Sequence, residues 1–249
     1  LSNFREALPQ CHFLIICLPE TEETTGLIGE EEIKRAKADG WLTGQINYIR
    51  AKEGIYKKIN GHRQTPFVDS RGIITIHETF LSYMWCLSYV LMVYYEELLH
   101  VEVHNQHFPK KTKKPNQNVV NRAHKLFQYA KGLIPHFEEW DQDLPNPQKY
   151  SKEDQFYVER ANGLYEYAMG WVLSHEFGHL RLKHFGDSNK TKLEKEQEAD
   201  TFANSRFENI KIESLSMTAN IGSVAGLCSL LFFDKISKTG THPAPHRRI

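Results

Sequence analysis

Residues 171–180 read WVLSHEFGHL and combine an apolar helical pattern with two histidines four positions apart. Because an α-helix completes a turn in 3.6 residues, His175 and His179 leave the same face of the predicted helix. Two imidazole nitrogens on one face can converge on a single cation. Glu176 follows the first histidine, where it can take a proton from a metal-bound water. The stretch therefore predicts a helix that carries two metal ligands and a general base.

A second segment, residues 193–208, is predicted to be a helix that supplies the third metal ligand. A catalytic zinc site uses three protein ligands and keeps one position open for water. Glu196 is our preferred third ligand, and Glu198, which faces roughly the other way on a helix, is the alternative. Asp200 shares the face of Glu196 and is predicted to accept a hydrogen bond from a ligand histidine, which would fix the tautomer of that imidazole. The small side chain of Ala199 would let the two helices come close enough to share a metal ion.

The rest of the chain predicts a mainly α fold with a small β element, an α+β architecture. Residues 66–76 are typical of a short hairpin whose turn falls at 69–72, where Gly72 can take a left-handed conformation. Residues 80–95 are apolar or aromatic apart from two serines, and this run is shorter than the roughly 20 residues that a membrane-spanning helix needs. We therefore expect a buried core helix there. Further helices are predicted at 118–131 and at 213–233, and a polar loop is predicted at 104–117. A long helix is predicted to begin at a helix-start pattern formed by Ser151 and Asp154 and to end at about residue 185.

The overall composition argues against a nucleic-acid or membrane partner. The 249 residues include 31 Lys plus Arg and 31 Asp plus Glu, so the formal net charge is zero. Bulk electrostatics therefore gives no attraction to nucleic acid or to an anionic membrane. The four cysteines form no Cys-x-x-Cys pair and no disulfide ladder, which predicts a reducing, cytoplasmic location.

The opening part of the chain resembles a different class of protein from the rest. The strings ALPQC, residues 7–11, and LPETEETTGLIG, residues 18–29, are similar to the cofactor domain of D-2-hydroxyacid dehydrogenases. This resemblance covers about residues 5–42 and includes no counterpart of that family's glycine-rich phosphate loop. We therefore predict that residues 1–45 are a piece of a dinucleotide-binding domain without a working site, and that residues 46–249 form a separate domain, which contains the metal motif.

The motif and the second helix together resemble zinc peptidases. HExxH followed by Glu-x-x-Ala-Asp, at 175–179 and 196–200, resembles the gluzincins. The longer strings at 175–184 and 196–203 are similar to ImmA-type peptidases. Residues 69–83 and 171–176 narrow the match, because they resemble Lit-type phage-exclusion peptidases. The resemblance implies that residues 46–249 form a zinc metallopeptidase domain, zincin-like and helical, with Zn²⁺ as cofactor. It also implies cleavage of a cytosolic protein, elongation factor Tu, during phage infection.

Other residues leave alternatives open. The C-terminal stretch 240–249 resembles a Thr-His-Pro…Arg-Ile segment of gluzincins, so His242 is a candidate for stabilising the oxyanion of the transition state. The alternative is that this stretch is a structural tail. Tyr165 and Tyr167 are other candidate hydrogen-bond donors to the oxyanion. His184 lies one place short of a metzincin's third histidine and is predicted to be exposed or structural. The alternative function is a non-catalytic interaction module in which metal staples two helices. Such a closed site needs four ligands, and His184 is the candidate for the fourth.

Overall fold

The computed structural model describes residues 45–49, 65–134, 138–207, 220–227 and 229. The chain divides into two units, Leu1–Gln45 and Ile46–Ile249. The assignment of residues 1–45 to a piece of a dinucleotide-binding domain lies outside the described residues, apart from Gln45, and stays a prediction. The predicted boundary at residue 46 and the metallopeptidase assignment of 46–249 likewise stay predictions.

A small sheet precedes the helices of the described residues, and its hairpin lies where the sequence predicted one. Its strands are β1 (Gln45–Ile49), β2 (Phe67–Val68) and β3 (Ile73–His77), arranged in the order β1-β3-β2. Strands β2 and β3 pair in the antiparallel sense, with Val68 opposite Ile74. The connecting turn is closed by the Asp69 carboxylate, which accepts the backbone N–H of Arg71 at 2.9 Å and that of Ile73 at 3.1 Å. Gly72 has a φ of 82°, which is the left-handed conformation expected of it.

Helices make up most of the described chain, so the predicted mainly α fold with a small β element is confirmed. Helix α1 (Glu78–Tyr94) continues through a π-helical segment, Tyr95–Leu99, into α2 (His100–His107), so the polar loop begins after His107 and not at residue 104. The helices are α1 (Glu78–Tyr94), α2 (His100–His107), α3 (Gln117–Gly132), α4 (Gln155–Arg181) and α5 (Lys192–Phe207). Residues 220–227, within the predicted 213–233 segment, are also helical.

The apolar helix α1 is the centre of the core. Its side chains include the fully buried Phe80, Met84 and Tyr89, and it packs against both α3 and α4. Tyr83 also ties α1 to the later chain by donating a hydrogen bond to the carbonyl of Ser229 at 2.9 Å. The expectation of a buried core helix is thus confirmed, and no helix of the described residues is long and apolar enough to cross a membrane.

Side-chain hydrogen bonds hold the start of helix α4, and a left-handed residue follows its end. Ser151 and Asp154 exchange hydrogen bonds of 3.0 and 3.2 Å, and Asp154 also accepts from Arg122 of α3 at 2.6 Å. At the other end the helix stops at Arg181 rather than near 185, because Lys183 takes a left-handed φ of 54°. This conformation ends the helix and is unusual for a residue other than glycine.

Helices α4 and α5 approach closely because residue 178 has no side chain. A Cβ placed on Gly178 would lie 3.2 Å from the Cα of Ala199 and 3.2 Å from Cδ1 of Phe202. Ala199 and Ala203 of α5 are fully buried, so small residues on α5 complete the contact. The spacing between the two helices therefore depends on Gly178 and on these alanines.

Substituting Gly178 tests this close approach. Gly178→Ala should lower the free energy of unfolding by about 1–2 kcal/mol, because overpacking against a backbone atom outweighs the gain in helix propensity. Gly163→Ala is the matched control on the same helix, since its Cβ would meet no atom within 4 Å. It should raise the free energy of unfolding by about 0.5–1 kcal/mol. Urea denaturation followed by circular dichroism measures both, and equal effects of the two variants would contradict the inference.

Candidate functional site

The two motif histidines meet on one face of α4. Nε2 of His175 lies 3.2 Å from Nε2 of His179, with the rings nearly perpendicular at 82°. His175 is buried at 5% exposure, whereas His179 is half-buried at the edge of the same site. The helix thus brings together the two nitrogens that the spacing predicted.

Helix α5 adds a carboxylate to this pair. Glu196, which is buried, lies with Oε2 3.3 Å from Nε2 of His175 and Oε1 3.6 Å from Nε2 of His179. Among the described residues, His175, His179 and Glu196 form a group able to hold a metal ion, with ligand atoms all within 4.8 Å of one another. Tetrahedral zinc with bonds of 2.0–2.2 Å requires donor atoms about 3.3–3.6 Å apart. The two nitrogens and the carboxylate are donor types that zinc accepts, and Nε2 of His175 lies 3.2 Å from Nε2 of His179 and 3.3 Å from Oε2 of Glu196, close to that spacing.

The alternative third ligand is turned elsewhere. Glu198 is half-buried, and its Oε2 lies 2.8 Å from Nε2 of His184 and 2.7 Å from Nζ of Lys190. Lys190 and His184 together lower the pKa of the Glu198 carboxyl, so it stays charged. Of the two glutamates weighed from the sequence, Glu196 is the one near the motif histidines.

Asp200 lies beside the first histidine of the motif. Its Oδ1 is 2.8 Å from Nδ1 of His175, the ring nitrogen remote from Glu196. Trp171 stacks on the other side of this imidazole, with ring centroids 5.7 Å apart. Burial opposes protonation of His175, but the carboxylates of Asp200 and Glu196 outweigh it and raise the pKa to about 9. The site therefore favours positive charge at this position.

Glu176 is the next residue after the first histidine and acts on it electrostatically. It is half-buried, and its negative charge contributes to the raised pKa of His175. A carboxylate at the edge of a buried cluster of donors can exchange protons with groups that enter from solvent.

The remaining candidates fall in different places. His242 lies outside the described residues, so its proposed part in stabilising an oxyanion stays a prediction. Tyr165 packs against the core, and Tyr167 contacts the ring of Phe207. His184 is buried at 4% exposure, which excludes the exposed alternative and leaves the structural one.

His184 is also the residue whose position sequence reasoning missed. Its Nδ1 lies 2.8 Å from Nδ1 of His179. The contact depends on the turn after α4, in which the backbone N–H of His184 donates to the carbonyl of His179 at 3.0 Å. A spacing of five residues is longer than one helical turn, so helical periodicity gave no indication of this pairing.

A family model matches the part of the chain that contains this site. The model of the peptidase U49 family matches residues 74–249, which is well over half of the chain and includes both site helices. No curated protein and no solved structure matched the chain. The family match confirms the predicted peptidase, a hydrolase with a protein substrate. On this match, the chain belongs to the peptidase U49 family.

Proposed function

We propose that this chain is a zinc-dependent endopeptidase whose metal ligands are His175, His179 and Glu196. The observation that carries the proposal is the convergence of two imidazole nitrogens and one carboxylate from two helices, at separations of 3.2, 3.3 and 3.6 Å. The 3.3 and 3.6 Å distances run to different oxygens of the Glu196 carboxylate, and the three side chains together supply the number and type of protein ligands of a catalytic zinc site. Zinc held there would lower the pKa of a coordinated water toward neutrality and polarise the scissile carbonyl.

Glu176 is the proposed proton carrier of the reaction. It takes a proton from the attacking water and later delivers that proton to the leaving amine, so the products are a carboxylate and an amine. Its half-buried position beside His175 supports this role, because the group remains within reach of a substrate. Asp200 is the proposed partner that holds the His175 imidazole with its Nε2 toward the other two ligands.

The alternative function, a metal-stapled interaction module, needs a fourth protein ligand. The candidate was His184, but its Nδ1 contacts Nδ1 of His179, which is the nitrogen on the far side of that ring from Glu196. His184 therefore approaches the cluster from behind rather than joining it. This arrangement favours an open site with three ligands, which is the arrangement of catalytic zinc.

The proposed substrate comes from the resemblance to Lit-type phage-exclusion peptidases. On that basis the enzyme acts in the cytoplasm on elongation factor Tu during phage infection. We expect the zinc-loaded protein to cut purified elongation factor Tu at one site, and mass spectrometry of the fragments identifies the bond. Treatment with a chelator should stop cleavage, and readdition of zinc should restore it.

Different outcomes of this experiment contradict different parts of the proposal. Cleavage that persists after complete removal of metal would rule out zinc dependence. An uncut elongation factor Tu, together with zinc-dependent cleavage of another protein, would replace only the substrate. Should every protein substrate stay intact while zinc binds with four protein ligands and no water, the interaction module would be the better reading.

A further inference from the structure

A row of hydrogen-bonding groups extends from His179 away from the proposed metal site. Nδ1 of His179 lies 2.8 Å from Nδ1 of His184, and Nε2 of His184 lies 2.8 Å from Oε2 of Glu198. Nζ of Lys190 donates to the same carboxylate oxygen at 2.7 Å. The row therefore links α4, the turn that follows it and α5.

The backbone conformation of the turn after α4 places His184 beside His179. The N–H of Lys183 donates to the carbonyl of Leu180 at 3.1 Å, and the N–H of His184 donates to the carbonyl of His179 at 3.0 Å. These two bonds form a Schellman motif, in which Lys183 occupies the left-handed position that glycine usually takes. A residue other than glycine carries backbone strain of about 1 kcal/mol in this conformation, and Lys183 nevertheless adopts it in this turn.

Only one assignment of protons satisfies the row when His179 uses Nε2 as a ligand. Its Nδ1 then carries the hydrogen and donates to Nδ1 of His184. His184 must consequently carry its own hydrogen on Nε2, which donates to the charged carboxylate of Glu198. Each group has one defined role, so the orientation of the His179 imidazole is fixed by its neighbours.

We propose that His184 and Glu198, with Lys190, are positioning residues that hold His179 as an Nε2 ligand, as Asp200 does for His175. This inference rests on the proposed function, because it assigns a partner to a proposed ligand. It makes the two ligand histidines different: His175 contacts a carboxylate directly, whereas His179 reaches one through a second imidazole. Hydrogen-bond partners of this kind typically raise metal affinity 10–100-fold.

Zinc affinity measured by competition with a chromophoric chelator tests the positioning role. His184→Ala should weaken zinc binding about 10–100-fold. His184→Asn should recover part of this loss, since an Asn side-chain oxygen can accept the hydrogen of His179 Nδ1 in place of the ring nitrogen. Glu198→Gln should give a smaller loss and should not add to that of His184→Ala, because both changes interrupt the same row. Glu198 is half-buried, so its variant serves if the buried His184 variants fold poorly.

Glu194→Gln is the matched control for Glu198→Gln. It removes the same charge one turn earlier on α5, where Glu194 accepts hydrogen bonds from Thr191 at 2.7 and 2.8 Å and does not contact His184. This variant should bind zinc as the wild-type protein does, and its effect should simply add to that of His184→Ala.

Cobalt absorption separates a positioning residue from a ligand. Cobalt-loaded His184→Ala should keep the strong visible absorption of a four-coordinate site, since its three protein ligands are unchanged. Loss of that absorption would make His184 a ligand and overturn the inference, as would an unchanged zinc affinity in both His184→Ala and Glu198→Gln. A wild-type protein that binds no zinc would refute the proposed function itself, whereas normal wild-type binding with unaffected variants would refute only the positioning role.

Discussion

Glu176→Gln should reduce peptide hydrolysis by about 10²–10⁴-fold while zinc stays bound at wild-type affinity. Glutamine keeps the size and the hydrogen-bonding oxygen of the side chain but cannot accept the proton of the attacking water. The proposed ligands His175, His179 and Glu196 are untouched, so the metal should remain. Initial rates on the cleaved protein substrate, together with elemental analysis of the purified variant, measure both effects.

Glu166→Gln is the control for this substitution, because Glu166 is an exposed glutamate on the same helix. It should leave both activity and zinc content unchanged. Full activity of Glu176→Gln would remove Glu176 from the mechanism. A variant that loses its zinc as well would mean that Glu176 supports the metal site, and the loss of hydrolysis would then say nothing about proton transfer.

The sequence was most informative where helical spacing alone determines which side chains meet. His175 with His179, and Glu196 with Asp200, are each four residues apart, and the structure brings all four together. Glu196 could be preferred over Glu198 for the same reason, since residues two apart on a helix face different directions. The hairpin turn could also be predicted from the sequence, because its conformation depends on two residues within the turn, Asp69 through its carboxylate and Gly72 through its left-handed backbone.

The sequence was least informative where an unexpected backbone conformation decides the contact. Lys183 takes a left-handed φ of 54°, a conformation that glycine favours and that Gly186 also adopts, with a φ of 79°. The helix therefore ends earlier than expected, and His184 turns back onto His179. The π-helical segment at Tyr95–Leu99 was also not predicted, and it extends the helix from α1 into α2.

His175→Ala should abolish metal binding and, with it, all detectable hydrolysis. The substitution removes one of three proposed donors and the 2.8 Å contact of His175 with Asp200. Two donors cannot hold zinc in the manner of a catalytic site, which uses three protein ligands. Elemental analysis should find stoichiometric zinc in the wild-type protein and none in the variant. His124→Ala, an exposed change on α3, should keep its zinc.

Thermal unfolding distinguishes loss of the ligand from general damage to the fold. Zinc present at 1,000 times its dissociation constant should stabilise the wild-type protein by about 4 kcal/mol, because metal binds the folded state. His175→Ala should unfold at the same temperature with and without zinc, whereas Glu176→Gln should keep the full zinc-dependent rise. A zinc-dependent rise that survives in His175→Ala would place the metal elsewhere and remove the basis of the proposed site. The two variants together thus separate the residue that holds the metal from the residue that moves the proton.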